Sequence, residues 1–150
     1  MNTQPKPSEI VIMASGAVAF IFSFFDWFGE GVFSINGWDS DLTFPLGSYI
    51  AIFGLVMAVQ IALTRFANVD MPDRVLGFTW PQIHLVLAVF AGLLAIGWLI
   101  ISEDAKFGFW LTLLGAVGLV VGAFMLHSES KTTATTAPGA PPPPPGGSSF

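Results

Sequence analysis

Long apolar stretches alternate with short polar segments along the first 127 residues of the chain. Four stretches stand out, at residues 10–28, 46–64, 83–101 and 107–126; the last three hold no charged residue. Each has the roughly 17–25 residues that a helix needs to cross the hydrocarbon core of a bilayer. We therefore predict an all-α membrane protein, a bundle of four transmembrane helices over residues 1–127.

The first stretch begins close to the amino terminus, after Lys6, with Ser8 as the expected N-cap. A cleaved signal peptide is the alternative, since Ala17, Val18 and Ala19 resemble a cleavage site. The apolar run continues to Phe25 without the usual polar break, which favours a retained span.

The loop at residues 26–46 is the longest polar break between two spans. Residues 32–35, followed by Asn36-Gly37 and Trp38, suggest a small hairpin, since Asn-Gly suits a type I′ turn. An irregular loop on the membrane surface is an equal alternative, because an isolated hairpin is only marginally stable in water.

The next two connections differ in length and chemistry. In the loop at residues 65–82, Asp70 and Pro72 suggest the start of a short helix. Thr79 and Gln82 fit a capping box that opens the third span, with His84 just inside it at the membrane surface. Residues 102–106 are so short a connection that the third and fourth spans must be antiparallel neighbours.

Composition supports a membrane protein. The chain is 53% hydrophobic and 10% charged, with a mean hydropathy of +0.73, whereas soluble domains are about 25% charged. A net charge of −5 argues against nucleic acid as a partner. Residues 128–150 are rich in Thr, Pro and Gly, a composition that predicts a disordered cytoplasmic tail.

Charge predicts the orientation. With four spans, one side of the membrane holds Lys6, Arg65, Arg74 and Lys131, and the other holds only Lys106. Lys and Arg accumulate in cytoplasmic segments, so we expect a multi-pass plasma-membrane protein with both termini in the cytoplasm. The outer segments then carry most of the acidic residues: Asp26, Glu30, Asp39, Asp41, Glu103 and Asp104.

Every predicted span has a face of small residues, which allow helices to approach closely within lipid. The predicted helix-packing positions are Gly54, Ala58, Gly92, Gly115, Gly118 and Gly122. We favour packing within one chain over a dedicated dimer interface, because four spans can satisfy one another. The oligomeric state does not follow from this pattern.

No set of residues in the sequence predicts catalysis. No span has a charge in its middle, which is the usual mark of an ion pathway. The loop acids match no Ca²⁺-binding spacing, so we predict no catalytic residue, metal or cofactor. The candidate outer contact surface is Asp26, Trp27, Glu30, Phe33, Trp38, Asp39 and Asp41.

We therefore expect a non-enzymatic accessory or scaffold subunit, with the lipid bilayer and other membrane proteins as partners. Trp27, Phe33 and Trp38 are its candidate anchors, since aromatic residues are common at the centre of interfaces. The alternative is a small oligomeric transporter or channel. Its polar path would have to use modest candidates: Ser23, Gln60 and Thr112.

The layout resembles the uncharacterised four-pass membrane proteins common in actinobacteria. The matching features are Trp27-Phe28 after the first span, Asn36-Gly37-Trp38-Asp39 in the loop, the arginine-bearing second loop and the proline-rich tail. The resemblance implies membrane location and four-span topology, and carries no activity to this chain.

Overall fold

The computed structural model describes residues 4–30, 33–39, 46–101 and 103–135. Four helices account for most of these residues, and two small hairpins lie in the connections. The elements in chain order are α1 (Pro7–Phe22), β1 (Asp26–Phe28), β2 (Ile35–Asn36), α2 (Leu46–Arg65), β3 (Arg74–Val75), β4 (Phe78–Thr79), α3 (Trp80–Ile101) and α4 (Phe107–Thr135).

Within the described residues, three helices are long and apolar enough to cross a membrane: α2, α3 and most of α4. This finding supports a membrane protein. Helix α1 is also apolar, but has only 16 residues. The predicted first span covers residues 10–28, whereas the helix in this part of the chain begins at Pro7 and ends at Phe22.

The helices pack around a common core, with α1 and α3 each lying against both α2 and α4. Neighbours along this ring are antiparallel. Ser8 of α1 meets Glu129 of α4, and Gly122 of α4 lies against Ile12 one turn further along α1. The short connection before Phe107 likewise makes α3 and α4 neighbours, as the sequence indicated.

Small residues lie where the helix backbones approach most closely. A methyl group on Gly54 would come within 3.1 Å of the Gly16 Cα, and one on Gly118 would overlap the Ser15 hydroxyl. Gly115, like Gly118, lies between α4 and α1, where it faces Ala19. The other predicted packing positions are Ala58, whose Cβ lies near Gly16, Gly92, which faces Val120, and Gly122, which faces Ile12.

The first hairpin is present, but its arms are not the predicted ones. β1 pairs antiparallel with β2, matching Asp26 with Asn36 and Phe28 with Ile35. Asn36 ends the second arm and Gly37 follows it, and neither has a positive φ. The predicted type I′ turn is therefore wrong. Instead the Asn36 side-chain oxygen accepts the Trp38 amide at 2.8 Å, a local turn typical of Asn.

The second connection forms a hairpin where the sequence predicted a short helix beginning near Asp70. β3 pairs with β4, and Leu76 and Gly77 between them have φ values of 53° and 86°. Positive φ at both central residues is the geometry of a type I′ turn. The predicted capping interaction is present in part, since Gln82 Oε1 accepts the Thr79 amide at 2.9 Å.

Two further predictions are corrected at the end of the bundle where α1 begins. Lys6, and not Ser8, is the N-cap of α1. Helix α4 continues to Thr135, so the predicted disordered tail does not begin at residue 128. The hydroxyls of Ser128 and Thr132 bond to carbonyls one turn earlier, which accommodates polar residues in the extended helix. The rest of the predicted tail, 136–150, lies outside the described residues.

Candidate functional site

The two ends of the bundle have different chemistry. α1 and α3 finish at one end of the bundle, which we call the Trp27 end. We call the opposite end the Glu9 end. At the Trp27 end the chain turns back after α1, so that the fully buried Trp27 closes the core. Its ring and that of Phe28 lie 5.7 and 5.0 Å from the ring of Phe109, measured between centroids.

Hydrogen bonds fix the first hairpin to the helices. The Lys106 amide donates to the Trp27 carbonyl at 2.7 Å, and the Gly37 amide donates to the Ser23 carbonyl at 3.0 Å. The Trp38 indole donates to the Ser23 hydroxyl at 2.8 Å. A hairpin this short is held by such tertiary bonds, since two strands alone are marginal.

The predicted outer contact residues divide by exposure. Phe33 is 82% exposed, and Asp26 and Glu30 are also exposed. Trp38 is half-buried, stacked on Phe24 with ring centroids 5.3 Å apart. Of the remaining candidates, Asp39 is half-buried and Asp41 lies outside the described residues.

Trp27 requires a correction. The sequence prediction offered it as a contact anchor, but no part of its side chain is exposed, so it cannot meet a partner. Its neighbours explain the burial: its ring fills the space beside Gly37, where a methyl group would lie 2.7 Å from the indole. The exposed surface of this hairpin is therefore Asp26, Glu30 and Phe33, which we call the hairpin face.

The Glu9 end is charged. Arg65, the last residue of α2, donates from Nη2 and Nε to the two oxygens of Glu9, at 2.7 and 2.9 Å. The Lys6 backbone amide also donates to Glu9, at 2.9 Å. Two-point Arg–carboxylate bonding is geometrically specific. The ion pair therefore joins the start of α1 to the end of α2.

A cavity of about 250 Å³ lies beside this ion pair, where all four helices meet. His84 of α3 lines it and is only 2% exposed, yet neither ring nitrogen has a hydrogen-bond partner in the described structure. Buried polar groups are normally paired. Sequence reasoning treated His84 as an ordinary surface residue, because its burial depends on helices that are distant in the chain.

The residues considered for a transport path do not form one in the described part of the chain. The hydroxyls of Ser23 and Thr112 bond to carbonyls of their own helices, those of Phe20 and Gly108. Gln60 lines the cavity at the opposite end of the bundle. Ser23 and Thr112 thus lie toward the Trp27 end and Gln60 toward the Glu9 end, and the core between them includes buried apolar side chains.

Comparison of the chain with protein-family models, with curated proteins and with solved structures finds no match in any of the three. The resemblance to actinobacterial four-pass proteins therefore stays a prediction.

Proposed function

We propose that the protein is a non-enzymatic accessory or scaffold subunit of a membrane complex, which contacts its partner through the hairpin face. The observation that carries the proposal is Phe33, a large aromatic side chain that is 82% exposed on a hairpin tied to the helix ends. A rigid support lowers the entropy cost of binding, and buried aromatic residues commonly supply most of the energy at interfaces.

The charge of the hairpin face adds selectivity. Glu30, whose carbonyl accepts the Phe33 amide, and Asp26 of the same hairpin are both exposed, so a partner with basic residues around an apolar pocket fits best. Charges at the rim of an interface act mainly on the association rate and on the choice of partner. We therefore expect formation of the complex to slow as the salt concentration rises.

The proposed topology has four spans, with the Glu9 end in the cytoplasm and the hairpin face outside the plasma membrane. Its support is the distribution of Lys and Arg, together with the close packing of the short α1 against α2 and α4. Reporter fusions after residue 135 and at residues 103–104 test it. A carboxyl-terminal reporter active only outside the cell would overturn this orientation.

A photo-crosslinking amino acid at position 33 tests the contact. We expect a discrete adduct in intact cells, and co-purification of that partner in mild detergent that is lost in Phe33→Ser. The matched control is Phe107→Ser, because Phe107 lies at the same end of the bundle and is 66% exposed. A monodisperse protein without partner, or equal loss in both variants, would refute the proposal.

The transporter alternative is less well supported. It needs a continuous polar path, and Gln60 lies at the opposite end of the bundle from the other two candidates, Ser23 and Thr112. Ion or drug flux in proteoliposomes that is abolished in Gln60→Leu would reverse this preference.

A further inference from the structure

Several hydrogen-bond donors around the cavity at the Glu9 end are already used, such as those of Gln60, Trp80 and Ser130, but others have no partner among the described residues. Glu9 is neutralised, since both its oxygens already accept bonds from Arg65. Arg65 donates to Glu9 from Nε and Nη2, and its Nη1 has no hydrogen-bond partner among the described residues. Lys6 lines the same cavity, as does the buried, unpaired His84.

The charge at the cavity favours an anion. Among the charged side chains that line the cavity, Lys6 and Arg65 outweigh Glu9 by one positive charge; Glu129 accepts a bond from Ser8 and lies beside Lys6 in an adjoining pocket. Lys, Arg and the single N–H of a neutral imidazole are donors, so the matching ligand is rich in acceptor oxygens. A phosphate group meets this requirement, and the cavity is smaller than the roughly 300–1,000 Å³ typical of drug-sized ligands.

An apolar groove adjoins the cavity. It is lined by Leu55, Val56, Val59, Leu63 and Met71, and it shares Gln60 and Trp80 with the cavity. The groove follows α2 from Leu55 to Leu63, about 12 Å at the helical rise of 1.5 Å per residue. A polar, anion-selective cavity that opens into an apolar groove matches a molecule with a phosphate head and a hydrocarbon tail.

We propose that this composite site binds one anionic phospholipid. Its phosphate would lie against Lys6, Arg65 and His84, and one acyl chain would follow the groove on α2. The unpaired nitrogens of His84 carry the argument, because a buried polar side chain without a partner indicates a missing one. This inference needs the protein to be in a membrane, but not the accessory role proposed above.

Native mass spectrometry of the purified protein, delipidated and then titrated with phosphatidylglycerol, tests the site. We expect one tightly retained lipid per chain. In Lys6→Ala and in His84→Phe, the affinity for this lipid should fall about five- to tenfold, as expected for one charge or charged hydrogen bond. His84→Phe keeps the ring volume and removes the unpaired nitrogens, so thermal unfolding should confirm that it still folds.

Two controls separate the site from general lipid contact and from free phosphate. Arg74→Ala removes a cation that does not line the cavity, and should leave retention unchanged. Val59→Trp fills the groove, and should abolish lipid retention while leaving any binding of inorganic phosphate intact. Equal retention of phosphatidylglycerol by the wild type, His84→Phe and Val59→Trp would overturn the proposal, as would binding of inorganic phosphate without retention of lipid.

Discussion

The contact of Gly118 with Ser15 gives the sharpest test of how α1 and α4 pack. A methyl group on Gly118 would overlap the Ser15 Oγ and lie 3.0 Å from the Ser15 Cβ. The Ser15 Oγ can rotate away, but the Ser15 Cβ is fixed to its helix backbone, so the two helices must move apart slightly to admit the methyl group. Overpacking of a well-packed core costs about 1–3 kcal/mol.

Helix propensity acts in the opposite direction. Replacing Gly by Ala inside a helix gains about 1 kcal/mol, so the net effect expected for Gly118→Ala is a destabilisation of about 0–2 kcal/mol. Gly97 of α3 is the matched control, because nothing lies within 4 Å of a methyl group there. Gly97→Ala should be neutral or stabilising by up to about 1 kcal/mol.

The assay is reversible unfolding in mixed micelles, titrated with SDS and followed by helical circular dichroism. Ser15→Ala removes the overlapping hydroxyl, so in the Gly118→Ala background it should recover a large part of the lost stability. Such non-additivity is expected for residues in direct contact. If Gly118→Ala and Gly97→Ala shift the midpoint equally, or if Ser15→Ala rescues nothing, the packing described for α1 and α4 is wrong.

Three further predictions concern other parts of the fold. Leu76→Asn should raise the free energy of unfolding by about 1 kcal/mol in the same titration, since a left-handed conformation is costly for Leu and tolerated by Asn. Trp27→Ala should lower the free energy of unfolding by about 3–5 kcal/mol, as expected for a large side chain that is fully buried. Trp110→Ala, at a half-exposed position, should lower it far less. Equal losses in the two variants would contradict the core described here. Arg65→Met should destabilise the protein by leaving the buried Glu9 carboxylate without its partner, and adding Glu9→Leu should recover stability; failure of the double variant to recover would contradict the ion pair.

The helices could be predicted from the sequence because each needs only a local signal. Runs of apolar residues place α2 and α3 within three residues of their observed bounds, and place the start of α4 at its observed position, Phe107. The Thr79–Gln82 interaction was also predictable, since its two residues are three apart in the chain. Patterns of this range depend on backbone geometry that neighbouring residues determine by themselves.

The features that the sequence did not predict depend on residues that are distant in the chain. The Glu9–Arg65 pair spans 56 positions, and the burial of His84 depends on four helices at once. The arms of the first hairpin were misplaced because Asp26–Phe28 reads as a continuation of an apolar helix. Only the tertiary bond from Lys106 to the Trp27 carbonyl, with burial of the indole, makes a strand more favourable there.

The end of α4 was misjudged for a related reason. Residues 128–135 are mostly polar and rich in Thr, and Thr is a poor helix former in isolation. In the folded chain, Ser8 donates to Glu129 at 2.8 Å and so attaches this segment to the start of α1. A tertiary contact thus extends a helix that composition alone would end near His127.

The short α1 raises a physical question about the proposed four-span topology. Its 16 residues are about 24 Å long, against a hydrocarbon core of about 30 Å. The chain beyond its end would then lie at membrane depth, where every backbone polar group needs a partner. The carbonyls of Ser23 and Trp27 have such partners, in the amides of Gly37 and Lys106.

Side chains complete this adaptation. Phe24 and Phe25 beyond the helix end are 55% and 50% exposed, so they continue the apolar surface of α1 toward the membrane boundary. Irregular backbone is tolerated within a bilayer where it is covered by protein and its hydrogen bonds are made. Ser23 and Trp27 meet both conditions, since each is buried and its carbonyl accepts a hydrogen bond, so a helix shorter than the bilayer is compatible with the proposed first span.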